Sequence, residues 1–340
     1  MFAVPYITFG GRCYALGEGE SVLECMLRHG VAVRSSCRSG VCQSCVMRAI
    51  DGTPPPEAQK GLRESLKKHN HFLACQWRPG CDVEVRLPGN DAVPCISAKV
   101  VGKKKLSGRV VNLTLQCPTD FSFEAGQFIN LLHDDCVRSY SIANVPDARH
   151  RLELHVYRVE GGRLSGWIHD QLSVGDVVTV QGPFGDCVYR ADAKRQPLLL
   201  IGTGCGLAAL RGVVYQALQQ GHAAPMYLYH GSRSIDGLYL FEEMRQLEKE
   251  HPQFHYKACL SAGDAPAGYT SGRATDIALI EHPALQGWQI YLCGNTEMVS
   301  ATKRQAYLAG AALADIHADP FEFSYRISQP AASITEDCSI

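Results

Sequence analysis

Four cysteines, Cys37, Cys42, Cys45 and Cys75, constrain this chain more than any other feature. They read C-x4-C-x2-C, followed after 29 intervening residues by a fourth Cys. Soft thiolate ligands at this spacing hold a 2Fe–2S cluster. The loop Ser35-Ser36-Cys37-Arg38-Ser39-Gly40-Val41-Cys42-Gln43-Ser44-Cys45 is made of small residues and one glycine. Such a loop can wrap a cluster and aim backbone N–H groups at its sulfurs. Four cysteines can also hold zinc, but zinc ribbons pair two short knuckles, and here the fourth Cys stands alone. The spacing predicts iron–sulfur ligation by Cys37, Cys42, Cys45 and Cys75, hence a protein that handles single electrons.

The rest of the composition is permissive. At 340 residues the chain predicts two or three domains, and a net charge of −1 offers no attraction for nucleic acid or an anionic membrane. Fifteen cysteines, four of them assigned to a cluster, predict a reducing cytoplasm rather than a disulfide-linked secreted protein. The start shows no signal peptide, and no apolar run approaches the roughly 18 residues of a spanning helix. The expectation is a cytoplasmic, non-membrane protein.

Pattern along the chain divides it into three units and a tail. Residues 1–93 read as a β-hairpin (Tyr6 to Phe9, Arg12 to Leu16), a helix opened by the capping box Ser21-Val22-Leu23-Glu24, then the Cys loop. This unit carries 11 Lys and Arg against 9 Asp and Glu. A Pro- and Gly-containing linker, Leu87 to Pro94, follows. Residues 96–190 alternate with period two, as at Val110 to Leu115 and Leu152 to Tyr157, which predicts a small antiparallel barrel. Residues 195–328 alternate short apolar strands, starting at Leu198-Leu199-Leu200-Ile201, with helical stretches, which predicts a parallel α/β sheet. Residues 329–340 read as a tail. His69 and His71 are placed on a helix, where i, i+2 spacing points them apart, so no mononuclear metal site is expected.

Several short motifs then fall in order. They are Arg138-Ser139-Tyr140-Ser141, His155-Val156-Tyr157-Arg158, Gly161-Gly162-Arg163-Leu164-Ser165, Gly182-Pro183-Phe184-Gly185, Gly202-Thr203-Gly204-Cys205-Gly206 and Cys293-Gly294-Asn295. Each is modest alone. In this order they resemble the ferredoxin–NADP reductase superfamily, and the first 93 residues resemble a plant-type ferredoxin. Together, residues 1 to about 325 resemble the reductase components of oxygenases, of the benzoate dioxygenase and methane monooxygenase type.

That resemblance implies a multidomain α+β and α/β fold: a β-grasp ferredoxin, a six-stranded antiparallel flavin barrel and a Rossmann-like nicotinamide domain. It implies an NADH-dependent oxidoreductase that passes electrons through FAD and the cluster to a separate oxygenase or hydroxylase. FMN and NADPH are the alternative cofactors. Arg138 and Ser139 would hold the flavin, with Arg138 on its phosphates, Tyr140 on the ring and Ser141 near the reacting nitrogen. The backbone of His155, Val156 and Tyr157 would continue these contacts. Gly162, Arg163, Leu164 and Ser165 would receive the pyrophosphate ahead of a helix from Trp167 to Leu172. Gly202, Thr203, Gly204 and Gly206 would form the nicotinamide-phosphate turn. Cys293 and Gly294 would line the nicotinamide. Phe323, with Phe321 as competitor, would shield the flavin face. The resemblance thus places Ser141, Cys293 and Phe323 at the reacting centre. Ser261-Ala262 stands where NADPH-using relatives carry an arginine, which favours NADH. Two other readings compete: the same redox chain feeding a sugar-deoxygenating enzyme, and a redox-responsive binding protein.

Overall fold

The computed structural model describes residues 4–88, 95–263 and 265–321. Phe323, the 329–340 tail and the 89–94 part of the linker lie outside the described residues.

The first sheet is built from β1 (Tyr6–Phe9), β2 (Arg12–Ala15), β3 (Val46–Asp51), β4 (His71–Leu73) and β5 (Val83–Arg86), in the order β2-β1-β5-β3-β4. β1 and β5 run parallel and the other pairs antiparallel, the mixed arrangement of a β-grasp. Helix α1 (Val22–Arg28) starts where the capping box predicts. The Glu24 amide donates to Ser21 Oγ at 3.3 Å, and the Ser21 amide donates back to Glu24 Oε2 at 2.8 Å. Its buried face, Val22, Leu23, Cys25 and Met26, closes a core with Ile7, Met47, Phe72 and Trp77. Helix α2 (Glu64–Lys68) is shorter than the sequence pattern implies. Asn70 takes a left-handed φ of 56°, so the chain turns before His71, which lies in β4 rather than on a helix.

The second sheet contains β6 (Cys95–Lys105), β7 (Val110–Gln116), β8 (Phe128–His133), β9 (Cys136–Ser141), β10 (Arg151–Tyr157) and β11 (Val177–Phe184). Its order is β10-β7-β6-β11-β8-β9, and an Ile142–Leu154 bridge joins the two ends into a barrel. The period-two residues point inward: Val111, Leu113 and Leu115 of β7, Leu152, Leu154 and Val156 of β10, Val178 and Val180 of β11. Helix α3 (Arg163–Asp170) covers one end, beginning four residues earlier than the expected Trp167.

The third sheet is parallel, in the order β15-β14-β13-β12-β16-β17. Its strands are β12 (Leu198–Thr203), β13 (Met226–Ser232), β14 (Phe254–Leu260), β15 (Thr270–Ser271), β16 (Gln289–Asn295) and β17 (Ile316–Phe321). The central strand β12 is apolar on both faces because both are covered. Leu198 and Leu200 pack with α4 (Leu207–Gln219) and α5 (Phe241–Glu250), while Leu199 and Ile201 pack with α6 (Ala274–Glu281) and α7 (Thr296–Leu308). Pro320 is tolerated in β17 because that strand is an edge.

Candidate functional site

The cysteine loop brings its thiols together as two pairs. The Cys37 amide approaches Cys42 Sγ at 3.4 Å, and the Cys42 amide approaches Cys37 Sγ at 3.3 Å. The Cys45 and Cys75 thiols lie within hydrogen-bond reach of each other. Backbone amides of Ser39 and Gly40 point at the Cys37 and Cys75 sulfurs. Among the described residues no three ligand-type side chains converge on one point. Two dithiol pairs, each bathed in N–H groups, fit a two-iron cluster with two sulfurs per metal better than one tetrahedral zinc ion. Hydrogen bonding from the Cys42 thiol holds the Cys37 thiol below the usual thiol range despite its burial.

This loop is docked on the barrel. Asn130, fully buried in β8, donates from Nδ2 to the Cys42 carbonyl at 2.9 Å and to Gln181 Oε1 at 3.2 Å. Its Oδ1 accepts from Ser139 Oγ at 2.8 Å. Cys37 and Cys42 pack with Phe128 and Phe184. The result is one crevice in which Cys37 and Cys42, barrel residues Arg138, Ser139 and Ser141, and the β17 residues Asp319 and Phe321 face each other.

Within the crevice Ser141 Oγ donates to Asp319 Oδ2 at 2.7 Å. Burial, opposed by that hydrogen bond, raises the Asp319 carboxyl to about 6. Arg138 donates only to the neighbouring Val137 carbonyl, and it forms no ion pair with any described residue. A half-buried guanidinium without a counter-charge suits the phosphates of a flavin nucleotide. Tyr140 lies partly buried against the barrel core. At α3, Gly162 is the N-cap and leaves the first-turn amides available. Of the side chains there, Leu164 belongs to the barrel core, Ser165 Oγ accepts from the Val159 amide, and Arg163 pairs with Asp135 through two bonds. The backbone of this turn, more than its side chains, is therefore what a pyrophosphate could use.

The carboxyl ends of β12 and β16 form the second half of the site. Gly202 stands beside Cys293 in register. A Cβ on Gly206 would sit 2.2 Å from the Cys293 carbonyl oxygen, so only glycine fits there. Gly204, at a left-handed φ of 53°, has open space where its side chain would be, the condition for close approach of a phosphate. His230, brought down to about 4 by burial, meets the Gly204 carbonyl at 3.2 Å and the Tyr256 hydroxyl at 3.3 Å. His155, brought down to about 3 by burial, has Nδ1 3.1 Å from the Tyr239 hydroxyl. Its ring thus faces the third domain, while Val156 is barrel core and the Tyr157 hydroxyl meets Arg109. Cys293 is fully buried, with its sulfur 3.8 Å from that of Cys187. A larger concavity of about 590 Å³, lined by Arg190, Lys194 and Asp315, lies at the opposite, amino-terminal edge. Ligands of open parallel sheets bind at the carboxyl edge, so that concavity is not read as the site.

Local sequence pattern assigns no functional role to Asp319, Asn130 or Cys187. Each acquires meaning only from a residue far away in the chain.

Sequence profiles of known families match all three parts. A 2Fe-2S iron-sulfur cluster binding domain matches residues 10–80, an oxidoreductase FAD-binding domain 97–189, and an oxidoreductase NAD-binding domain 200–304. The reductase subunit of an aromatic O-demethylase from Amycolatopsis sp. is 34% identical over 309 residues, covering 87% of this chain and 92% of that one. The chain belongs to the iron–sulfur flavoprotein reductase family. This reductase is an oxidoreductase whose cofactors are a 2Fe–2S cluster, FAD and NAD. It is also 30% identical to the ferredoxin–NAD(P)+ reductase component of a naphthalene 1,2-dioxygenase system from Pseudomonas putida, over 91% of this chain and 96% of that one. A crystal structure of a cytochrome P450 reductase from Amycolatopsis superposes with a TM-score of 0.67 at 32% identity, covering 93% of this chain and 98% of that one. Among the described residues of the reductase no helix is long and apolar enough to cross a membrane.

Proposed function

We propose that this reductase carries electrons from NADH through FAD and its cluster to a separate oxygenase component in the cytoplasm. The modules are residues 1–93, 96–190 and 195–328. When bound, the cofactors supply the redox chemistry, joining a two-electron donor to a one-electron carrier. The chain supplies placement, exclusion of water and a proton-holding pair. Arg138, with the Ser139 and Tyr140 backbone, anchors and orients the flavin, and the first-turn amides of α3 take its pyrophosphate. Ser141 and Asp319, both buried, hold a proton between Oγ and Oδ2 at the wall of the crevice. Near neutral pH a carboxyl titrating at about 6 can both take and return it. Gly202, Thr203, Gly204 and Gly206 place the nicotinamide phosphates at the start of α4, and Cys293 and Gly294 set the floor beneath the ring. The Ser261 hydroxyl is committed to the Ser232 carbonyl at 3.3 Å. Ser261-Ala262 brings no charge for a 2′-phosphate, and the exposed Arg233 next to Ser232 stands where relatives of either preference carry arginine, so NADH is favoured over NADPH.

The observation that carries this reading is the shared crevice: cluster thiols, the Arg138–Ser141 strand and the end of β17 line one space. The test is Cys42→Ser. NADH-dependent ferricyanide reduction stays largely intact, and cytochrome c reduction is abolished. Equal loss of both activities contradicts the path.

A further inference from the structure

The charge on the first domain is unevenly placed. Residues 31–80, which include the cluster loop, carry eight Lys and Arg against three Asp and Glu. Elsewhere in residues 1–95 the balance reverses, with three Lys and Arg against six Asp and Glu. Four of the basic residues, Arg34, Arg38, Lys60 and Arg63, are exposed, and none forms an ion pair with a described residue.

Two hydrogen bonds gather them around the cluster loop. Gln76 Nε2 donates to the Arg38 carbonyl at 3.3 Å, holding that residue beside Cys75. Gln43 Nε2, from between two cluster cysteines, donates to the Gly61 carbonyl at 2.9 Å, which draws Lys60 and Arg63 to the same rim. Several acidic residues of this domain are meanwhile engaged, while Glu57, near Lys60, is exposed without a side-chain partner among the described residues. Glu20 pairs with Arg28 and Glu64 with Lys67, while Glu24 closes the helix cap and Asp82 accepts from the Tyr6 amide. The free positive charge therefore collects where an outgoing electron must leave.

Resting on the electron-transfer reading above, we propose that Arg34, Arg38, Lys60 and Arg63 form the docking rim for an acidic protein surface around the partner's electron-accepting centre. Exposed, unpaired cations of one sign speed diffusional encounter and fix orientation more than they add affinity. The docking is accordingly sensitive to salt.

The probes are two small redox proteins of opposite charge, acidic cytochrome b5 and basic cytochrome c, measured with the full-length, cofactor-loaded reductase. Binding to immobilised cytochrome b5 is recorded between about 20 mM and about 200 mM salt, across which the Debye length shrinks from roughly 20 Å to roughly 7 Å. Association with cytochrome b5 falls about tenfold over this range, and binding to cytochrome c does not. The Lys60→Glu/Arg63→Glu variant, which leaves the ligand-bearing loop untouched, loses most of that salt dependence while its cluster absorbance stays unchanged. A wild-type reductase that binds cytochrome b5 independently of salt, or prefers cytochrome c, overturns the proposal; so does a double variant with the wild-type salt response. NADH oxidation by a neutral quinone is followed in parallel. Its absence would sink the electron-transfer reading, whereas the binding measurement reports the rim by itself.

Discussion

Replacing Asn130 by leucine tests whether the cluster loop is held in place by a single buried amide. Leucine keeps the branching of asparagine at Cγ, though it is larger, and removes three hydrogen bonds. Two of them, to Gln181 and from Ser139, lie within the barrel; only the bond to the Cys42 carbonyl crosses to the first domain. Leaving that buried carbonyl without a donor costs about 2 kcal/mol of docking free energy. Such a loss shifts the docked-to-undocked ratio about 30-fold. The assay is the ratio of cytochrome c to ferricyanide reduction with NADH as donor, since only the former needs the cluster beside the barrel. That ratio falls, by up to about 30-fold, while ferricyanide turnover is kept. Ser139→Ala is the control, because it removes a bond inside the barrel and spares the one to Cys42. An Asn130→Leu enzyme with the wild-type ratio, or a Ser139→Ala enzyme with an equally lowered one, refutes the argument.

Two more outcomes follow from the crevice and the glycine turn. The Asp319 carboxyl, raised from its ordinary 3.8 to about 6 by burial, binds its proton more tightly in the folded protein than in the unfolded chain. Its contribution to stability is present below about pH 4 and is lost as pH rises through about 6, an amount of about 3 kcal/mol. Asp319→Asn therefore gains thermal stability over wild type at pH 7.5 but not at pH 4; parallel melting curves at the two pH values would count against the burial argument. Gly206→Ala forces a methyl onto the Cys293 carbonyl and costs about 2 kcal/mol or more, with weaker NADH binding in a fluorescence titration. Gly204→Ala meets no atom and costs only about 1–2 kcal/mol for its left-handed backbone. Equal melting temperatures for the two variants would contradict this.

How much of this was legible in the sequence depended on the range of each signal. The cysteine spacing, the Ser21–Glu24 cap and the alternation in β7 and β10 are local, and the structure places them where the residues imply. The glycine turn was equally plain, because Gly202 to Gly206 directly follows an apolar strand. Helix limits were less secure: α3 begins at Arg163 because Gly162 is already its cap, and α2 ends before His69 because Asn70 turns left-handed. The Ser141–Asp319, Asn130–Cys42 and Cys187–Cys293 contacts span 178, 88 and 106 residues. No periodicity links such partners, and each residue alone has an ordinary identity. Asp319 did carry a faint signal, as an acid next to a proline in an otherwise strand-like segment.

The Asn130 bond ends on a main-chain carbonyl rather than on a side chain. Every amino acid offers that acceptor, so the grip tests the shape of the cysteine loop and is blind to the residues that decorate it. Substitutions on the outer rim of the first domain can therefore change its charge without loosening the bond that holds the cluster loop to the barrel.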